Sequence, residues 1–291
     1  MTPDVPRRAA DEILALHRLE PSVGDIYVEG ETDRALIEWF LGLEGSRKIA
    51  VYPIDAVDVP GDAFRLVGLE STLNRNRVIA LARWLNVKAG ERSPRICCVV
   101  DADFDRILGR CLTEPLLSYT DYTSMEMYFF NPQVLGKFLT LGAHCKRHSP
   151  VTLLKEMSRA LTRIFLLRAT NERLNWKMKF PRLKKYVSLK SGHIRFRERE
   201  YVAATLMANR HFSRSYEFAE ATKECQSTAP PDPRHNIRGH DFTWLLLRWL
   251  SKLGRRGCRY GSQDTLEAAL RGAMERDFVT REPLFVRLRS L

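Results

Sequence analysis

Two short acidic motifs at the ends of apolar runs are the residues of this chain best suited to chemistry. In Ile26-Tyr27-Val28-Glu29-Gly30-Glu31-Thr32-Asp33, an apolar run from Val23, interrupted by Gly24 and Asp25, stops at Glu29-Gly30, and a helical pattern follows from Thr32. In Val99-Val100-Asp101-Ala102-Asp103-Phe104-Asp105, a second run ends in acids. Mg²⁺ and Mn²⁺ take oxygen ligands, commonly a few carboxylates completed by water and substrate phosphate. An Asp-x-Asp can direct both carboxylates to one ion where the chain leaves the alternation of a strand. Glu29 would complete the cluster or act as general acid or base on a phosphodiester. Asp33 follows Glu29 by about one helical turn, on the same side of the crevice. Asp121 and Glu126 offer a second metal position.

The elements that must place these acids alternate between strand and helix. Pro6–Leu19 carries Ile13, Leu14, Leu16 and Leu19 at helical spacing. Gly24–Val28 reads as the first strand. A helix runs from Thr32, its N-cap, to about Leu43, closed by Gly42 and Gly45. Ile49–Ile54 is a second β-branched run. The 55–68 stretch reads as a loop, with Pro60-Gly61-Asp62 as a turn. A helix over Leu73–Val87, a strand over Arg95–Val100 and a short strand over Leu116–Tyr119 follow. Such alternation predicts an α/β fold with a mostly parallel sheet flanked by helices. In such sheets ligands bind outside the carboxyl ends of the strands, where Glu29, Asp101 and Asp103 fall.

Beyond Asn131-Pro132 the pattern changes to helices, over Gln133–Leu141, Val151–Arg168, Phe242–Leu253 and Leu266–Met274, with a proline-rich loop over Ser227–Pro233. The expected division is an α/β domain over 1–132 and a mainly α-helical domain over 133–291. Charge follows the same line. Residues 1–132 hold 15 Lys and Arg against 21 Asp and Glu, and residues 133–291 hold 32 against 14. A basic half suits a polyanion, while the acidic half suits a metal. Within the basic half, Lys177, Lys179, Lys184, Lys185, Arg195 and Arg197 are interleaved with Trp176, Phe180, Tyr186 and Phe196. This pattern serves equally as a nucleic-acid surface or as a solvated face over aromatic core anchors. Arg75 and Arg77 precede a helix, where phosphate contact competes with an ordinary surface role.

These motifs resemble the Toprim domain of topoisomerases, primases and OLD-family nucleases, in which a Glu follows the first strand and an Asp-x-Asp a later one. The resemblance covers roughly residues 20–130. Val28-Glu29-Gly30 with Asp33, Asp101-Ala102-Asp103-Phe104-Asp105, the Asp121…Glu126-x-Tyr128 segment and Gly239-His240-Asp241 look more specifically like a Toprim-related family of bacterial anti-phage effectors. PARIS-type effector nucleases, which work with an ABC-type ATPase and attack tRNA, are its best-known kind. The resemblance implies catalytic and metal roles for Glu29, Asp101 and Asp103, and metal roles for Asp33, Asp105 and Glu126.

The expectation is therefore a Mg²⁺- or Mn²⁺-dependent endonuclease acting on RNA, including tRNA, or on DNA in antiviral defence. The alternative is a non-catalytic Toprim-like module that binds nucleic acid or an ATPase partner. No G-x-x-x-x-G-K-[ST] is present, so an ATPase would be a separate chain; a homodimer is left open. No apolar stretch reaches the roughly 20 residues that span a bilayer, and the first ten residues lack a signal-peptide core. Six cysteines, Cys258 among them, show no C-x-x-C pair, so the expected setting is cytoplasmic and reducing. His144, Cys145 and His148 read as structural or surface residues, because no second cluster completes a tetrahedral zinc site.

Overall fold

The computed structural model describes residues 7–42, 49–70, 73–90, 93–145, 147–190, 193–253 and 260–291. Expectations for Pro6, Leu43, Gly45 and Cys258 fall outside these. The chain forms two compact units: residues 1–102, 111–121 and 276–291 make the first, and residues 103–110 and 122–275 the second. These units do not follow the 1–132 and 133–291 division. A composition shift records charge, whereas the units are set by packing, and the C-terminal residues return to the first unit.

In the first unit, Arg8–Ala9 (β1) leads into Ala10–Leu19 (α1), then Gly24–Val28 (β2), Glu31–Leu41 (α2), Ile49–Pro53 (β3) and Val57–Asp58 (β4). Gly61–Val67 (α3) and Asn74–Ala89 (α4) precede Ile96–Val100 (β5). Asp105–Leu108 (α5) belongs to the second unit, and Leu117–Tyr119 (β6) to the first. The main sheet has the order β3-β2-β5-β6, and every pairing is parallel. All five residues of β2 and all five of β5 are buried, as a sheet covered by helices on both faces requires. From the central β2–β5 pair the chain continues outward to β3 on one side and β6 on the other. That reversal makes the carboxyl ends of β2 and β5 the topological switch point of the sheet.

The loop expected over 55–68 is largely helical. Pro60 stands at the N-cap of α3 with φ −64°, and Gly68, at φ +65°, ends the helix in the left-handed region. Ala63 is buried and Phe64 and Val67 pack on the same core as α4, so tertiary packing outweighs the turn signal of Pro-Gly-Asp. The two-residue β1–β4 bridge is too short to leave a sequence pattern.

The second unit contains Pro132–Lys137 (α6) and the 25-residue Pro150–Leu174 (α7). The Ser149 side chain caps α7, Pro150 opens it, and Asn175 ends it at φ +53°. Val187–Lys190 (β7) and His193–Phe196 (β8) form an antiparallel hairpin inside the basic stretch. Glu198–Ala208 (α8), Ser215–Thr228 (α9), Gly239–Lys252 (α10) and Gln263–Ala273 (α11) complete it. Arg276–Val279 (α12) and Pro283–Arg289 (α13) rejoin the first unit, where Phe285 meets Phe40 edge-on at 4.6 Å.

Candidate active site

β2 delivers Glu29 and β5 delivers Asp101 to the switch point, just beyond the last paired rung of the two strands, Tyr27 with Cys98. The backbone N–H of Asp101 donates to Oε1 of Glu29 at 2.9 Å. Glu29 is also held from its main chain, because Asn74 Nδ2 donates to its carbonyl oxygen at 3.0 Å. Asn74 opens α4 and is steadied by Asp55 at 3.4 Å. Asp33 lies in the first turn of α2, half-buried, where its charge favours the positive helix end.

The turn after β5 is fixed by main-chain bonds. Ala102 N–H donates to Thr120 Oγ1 at 3.0 Å, and Thr120 N–H donates to the Val100 carbonyl at 2.9 Å. Within the second unit, Asp103 N–H donates to the Thr123 carbonyl at 2.7 Å. Asp103 stands at φ +41°, a left-handed conformation that non-glycine residues adopt sparingly. Asp105 is the first residue of α5.

The remaining acids separate. Both carboxylate oxygens of Asp121 accept the Leu284 N–H, at 3.1 and 3.2 Å, so Asp121 caps α13. Glu126 lies in the second unit, in a group with His240 and Glu267 whose ligand atoms are within 4.8 Å of one another. The ion-pair contact of His240 with Glu267 raises the imidazole pKa, with Glu126 adding to the effect. Glu267 is held below the usual carboxylate range by His240 and by a 2.9 Å hydrogen bond from Thr243.

Among the basic candidates, Arg77 is engaged as scaffold. It donates to Asp55 at 2.6 Å and to the carbonyls of Ile54 and Val57 at 3.1 and 3.0 Å. The Arg75 guanidinium stands 5.8 Å from the centre of the Tyr119 ring. Lys177, Lys179, Lys184, Lys185, Arg195 and Arg197 are all exposed. Arg197 pairs with Glu200 and donates to the Lys185 carbonyl. The interleaved aromatics turn inward: Phe180, Tyr186 and Phe196 surround buried Tyr201 at 5.2 to 5.9 Å, and Trp176 stacks on His211. The cations therefore face solvent while these rings build a core. His148 packs edge-on against Trp249.

Sequence reasoning missed Asn74, Asp55 and Glu267. The Asn-Arg-Asn-Arg run at the start of α4 drew attention to its arginines, while the asparagine makes the contact to Glu29. Glu267 lies 27 residues past His240, and only the packing of α10 on α11 joins them.

No protein-family model matches the sequence, and no curated protein matches it.

Proposed function

We propose that this chain is a metal-dependent nuclease whose reaction centre is built on Glu29 and Asp101. The observation that carries the reading is the coupling of Glu29 and Asp101 across the switch point of a parallel sheet, through the 2.9 Å bond from the Asp101 N–H. The donor set fits a hard divalent cation, because these residues offer carboxylate oxygen and no softer atom. Glu29 and Asp101 would hold Mg²⁺ or Mn²⁺, with Asp33 as an additional acid near Glu29 in the chain; the roles of Asp103 and Asp105 rest on the Toprim-effector resemblance. When bound, such an ion supplies Lewis-acid polarisation of a phosphodiester.

The protein's own residues supply position. Asn74 fixes the main chain at Glu29, the Asp101 N–H fixes one carboxylate oxygen of Glu29, and Thr120 fixes the turn carrying Asp101. A carboxylate oriented in this way suits general acid–base work at a scissile phosphate. The exposed lysines and arginines of residues 177–197 suit electrostatic retention of the nucleic-acid strand. RNA, with tRNA first, and a role in anti-phage defence beside an ABC-type ATPase rest on the Toprim-effector resemblance.

The test is to incubate purified chain with tRNA, single-stranded DNA and duplex DNA in Mg²⁺, Mn²⁺ or EDTA. Mg²⁺- or Mn²⁺-dependent cleavage that is lost in both Glu29→Gln and Asp101→Asn supports the reading. Full activity in both variants overturns it. Metal-independent binding without cleavage, including in the presence of a co-purified ATPase, favours the non-catalytic Toprim-like module instead.

A further inference from the structure

The second unit contains a group of metal-ligand atoms that the strand-end site does not use. We propose that Glu126, His240 and Glu267 form a binding site for a borderline divalent cation of the Zn²⁺ or Co²⁺ class. One ligand atom from each residue lies within 4.8 Å of the other two. Two carboxylates alone would suit Mg²⁺ or Ca²⁺; an imidazole nitrogen shifts the preference toward Zn²⁺ and its neighbours. The donor chemistry thus differs from that of the all-carboxylate set at the sheet.

Supporting bonds orient the group as metal ligands are commonly oriented. Glu267 is buried, and its Oε1 accepts the Thr243 hydroxyl at 2.9 Å. Gln263 Nε2 in turn donates to Thr243 Oγ1 at 3.0 Å and to the His240 carbonyl at 2.9 Å. His240 extends from the first turn of α10, largely exposed, with Nδ1 3.7 Å from Glu267 Oε1. Together with Glu267 it lines a cavity of about 560 Å³, which gives an ion a path in.

A second observation points to a ligand. Ser124 is 7% exposed, and its Oγ is buried without a hydrogen-bond partner among the described residues. That hydroxyl and the Glu126 side chain both lie against Gly239: a Cβ built there would meet Glu126 Oε2 first, then Ser124 Oγ at 2.6 Å and Glu126 Cβ at 2.7 Å. A simple ion pair between His240 and Glu267, with Glu126 set against the positive end of α10, would use the charges. It leaves the Ser124 hydroxyl unsatisfied, which is costly in a buried position.

The protein stripped of metal is titrated calorimetrically with ZnCl₂, CoCl₂ and MgCl₂, alongside His240→Ala, Glu267→Gln and the double variant Glu29→Gln/Asp101→Asn. The expected result is one Zn²⁺ or Co²⁺ bound at least about tenfold more tightly than Mg²⁺ at a site lost in His240→Ala and kept in the double variant. His240 is exposed, so its truncation leaves folding intact even where Glu267→Gln does not. Undiminished Zn²⁺ and Co²⁺ affinity in His240→Ala, or no preference over Mg²⁺ in the parent, overturns the proposal.

Discussion

The amide of Asp101 donates to Glu29 Oε1 at 2.9 Å, so the two acids that end β2 and β5 are mechanically one unit. The Glu29 carboxylate thereby depends on the Asp101 backbone for its orientation. Glu29→Gln keeps an acceptor for the Asp101 N–H and removes the charge. The expected outcome is stability within about 1 kcal/mol of the parent, since a neutral hydrogen bond replaces a charge-assisted one. Cleavage falls by about 10²-fold or more, as expected for loss of a positioned acid or base. Denaturant unfolding and a cleavage assay on the same preparation separate the two effects.

Asp103 is held at φ +41°, a conformation glycine reaches without cost. Asp103→Gly is expected to be neutral or to stabilise by up to about 1 kcal/mol, relief of the strain outweighing the glycine's greater unfolded-state freedom. The same change should abolish cleavage by deleting the carboxylate. Chemical denaturation paired with activity checks both directions, and retained cleavage would remove Asp103 from the site.

The sequence made the sheet and its two acid-tipped strands readable, because β2 and β5 are short, continuous apolar runs that end abruptly in carboxylates. Distances between separated segments were not readable. By its place in the chain Glu126 reads, with Asp121, as a second metal position; packing sets it beside His240 and Glu267. Asp121 follows a strand in the sequence, and the amide it accepts from, that of Leu284, lies 163 residues on. The aromatics of residues 176–196 were equally suited to base stacking or to a core; buried Tyr201, on a helix absent from the sequence reading, decided for the core. For Glu126 and Asp121 the deciding contact is made by a residue far along the chain.

The exposed lysines beside that core give a salt-dependent prediction. Lys177, Lys179, Lys184 and Lys185 carry charge into solvent while the neighbouring rings pack inward. Replacing all four with Ala is expected to lower the slope of log affinity against log salt for single-stranded RNA by about three, at about 0.7 per phosphate contact. Fold stability should change little, because surface substitutions away from buried features stay within about 0.5 kcal/mol each. Filter binding between low and moderate salt is the measurement, and an unchanged slope would assign these residues to solvation alone.

Gly239 tests how closely α10 approaches Glu126. Ala is the better helix former by about 1 kcal/mol, so on propensity alone Gly239→Ala would stabilise. The added methyl would lie 2.6 Å from Ser124 Oγ and 2.7 Å from Glu126 Cβ, distances that force the segments apart. Overpacking of this kind costs about 1–3 kcal/mol, so net destabilisation is expected. A rise in unfolding midpoint would show that the segment accommodates the methyl.

Asp25 supplies the acid limb of stability. It is 1% exposed on β2, and its Oδ2 accepts Tyr27 Oη at 2.8 Å and Arg8 Nη1 at 3.1 Å, with His17 Nε2 at 3.3 Å. Burial pushes its pKa up, and the contacts with His17, Tyr27 and Arg8 outweigh burial to hold it below the ordinary carboxylate value. An acid with a depressed folded-state pKa stabilises the fold above its unfolded pKa of about 3.9, and that contribution is lost as pH falls through the folded value. Asp25→Asn is therefore expected to cost about 1–3 kcal/mol at neutral pH. Its stability curve should also be flatter than the parent's below about pH 4, where in the parent the unfolded chain takes up this proton ahead of the folded one. Urea unfolding midpoints from pH 7 down to pH 3 check both, and parallel curves for the two proteins would show that Asp25 does not set the acid limb.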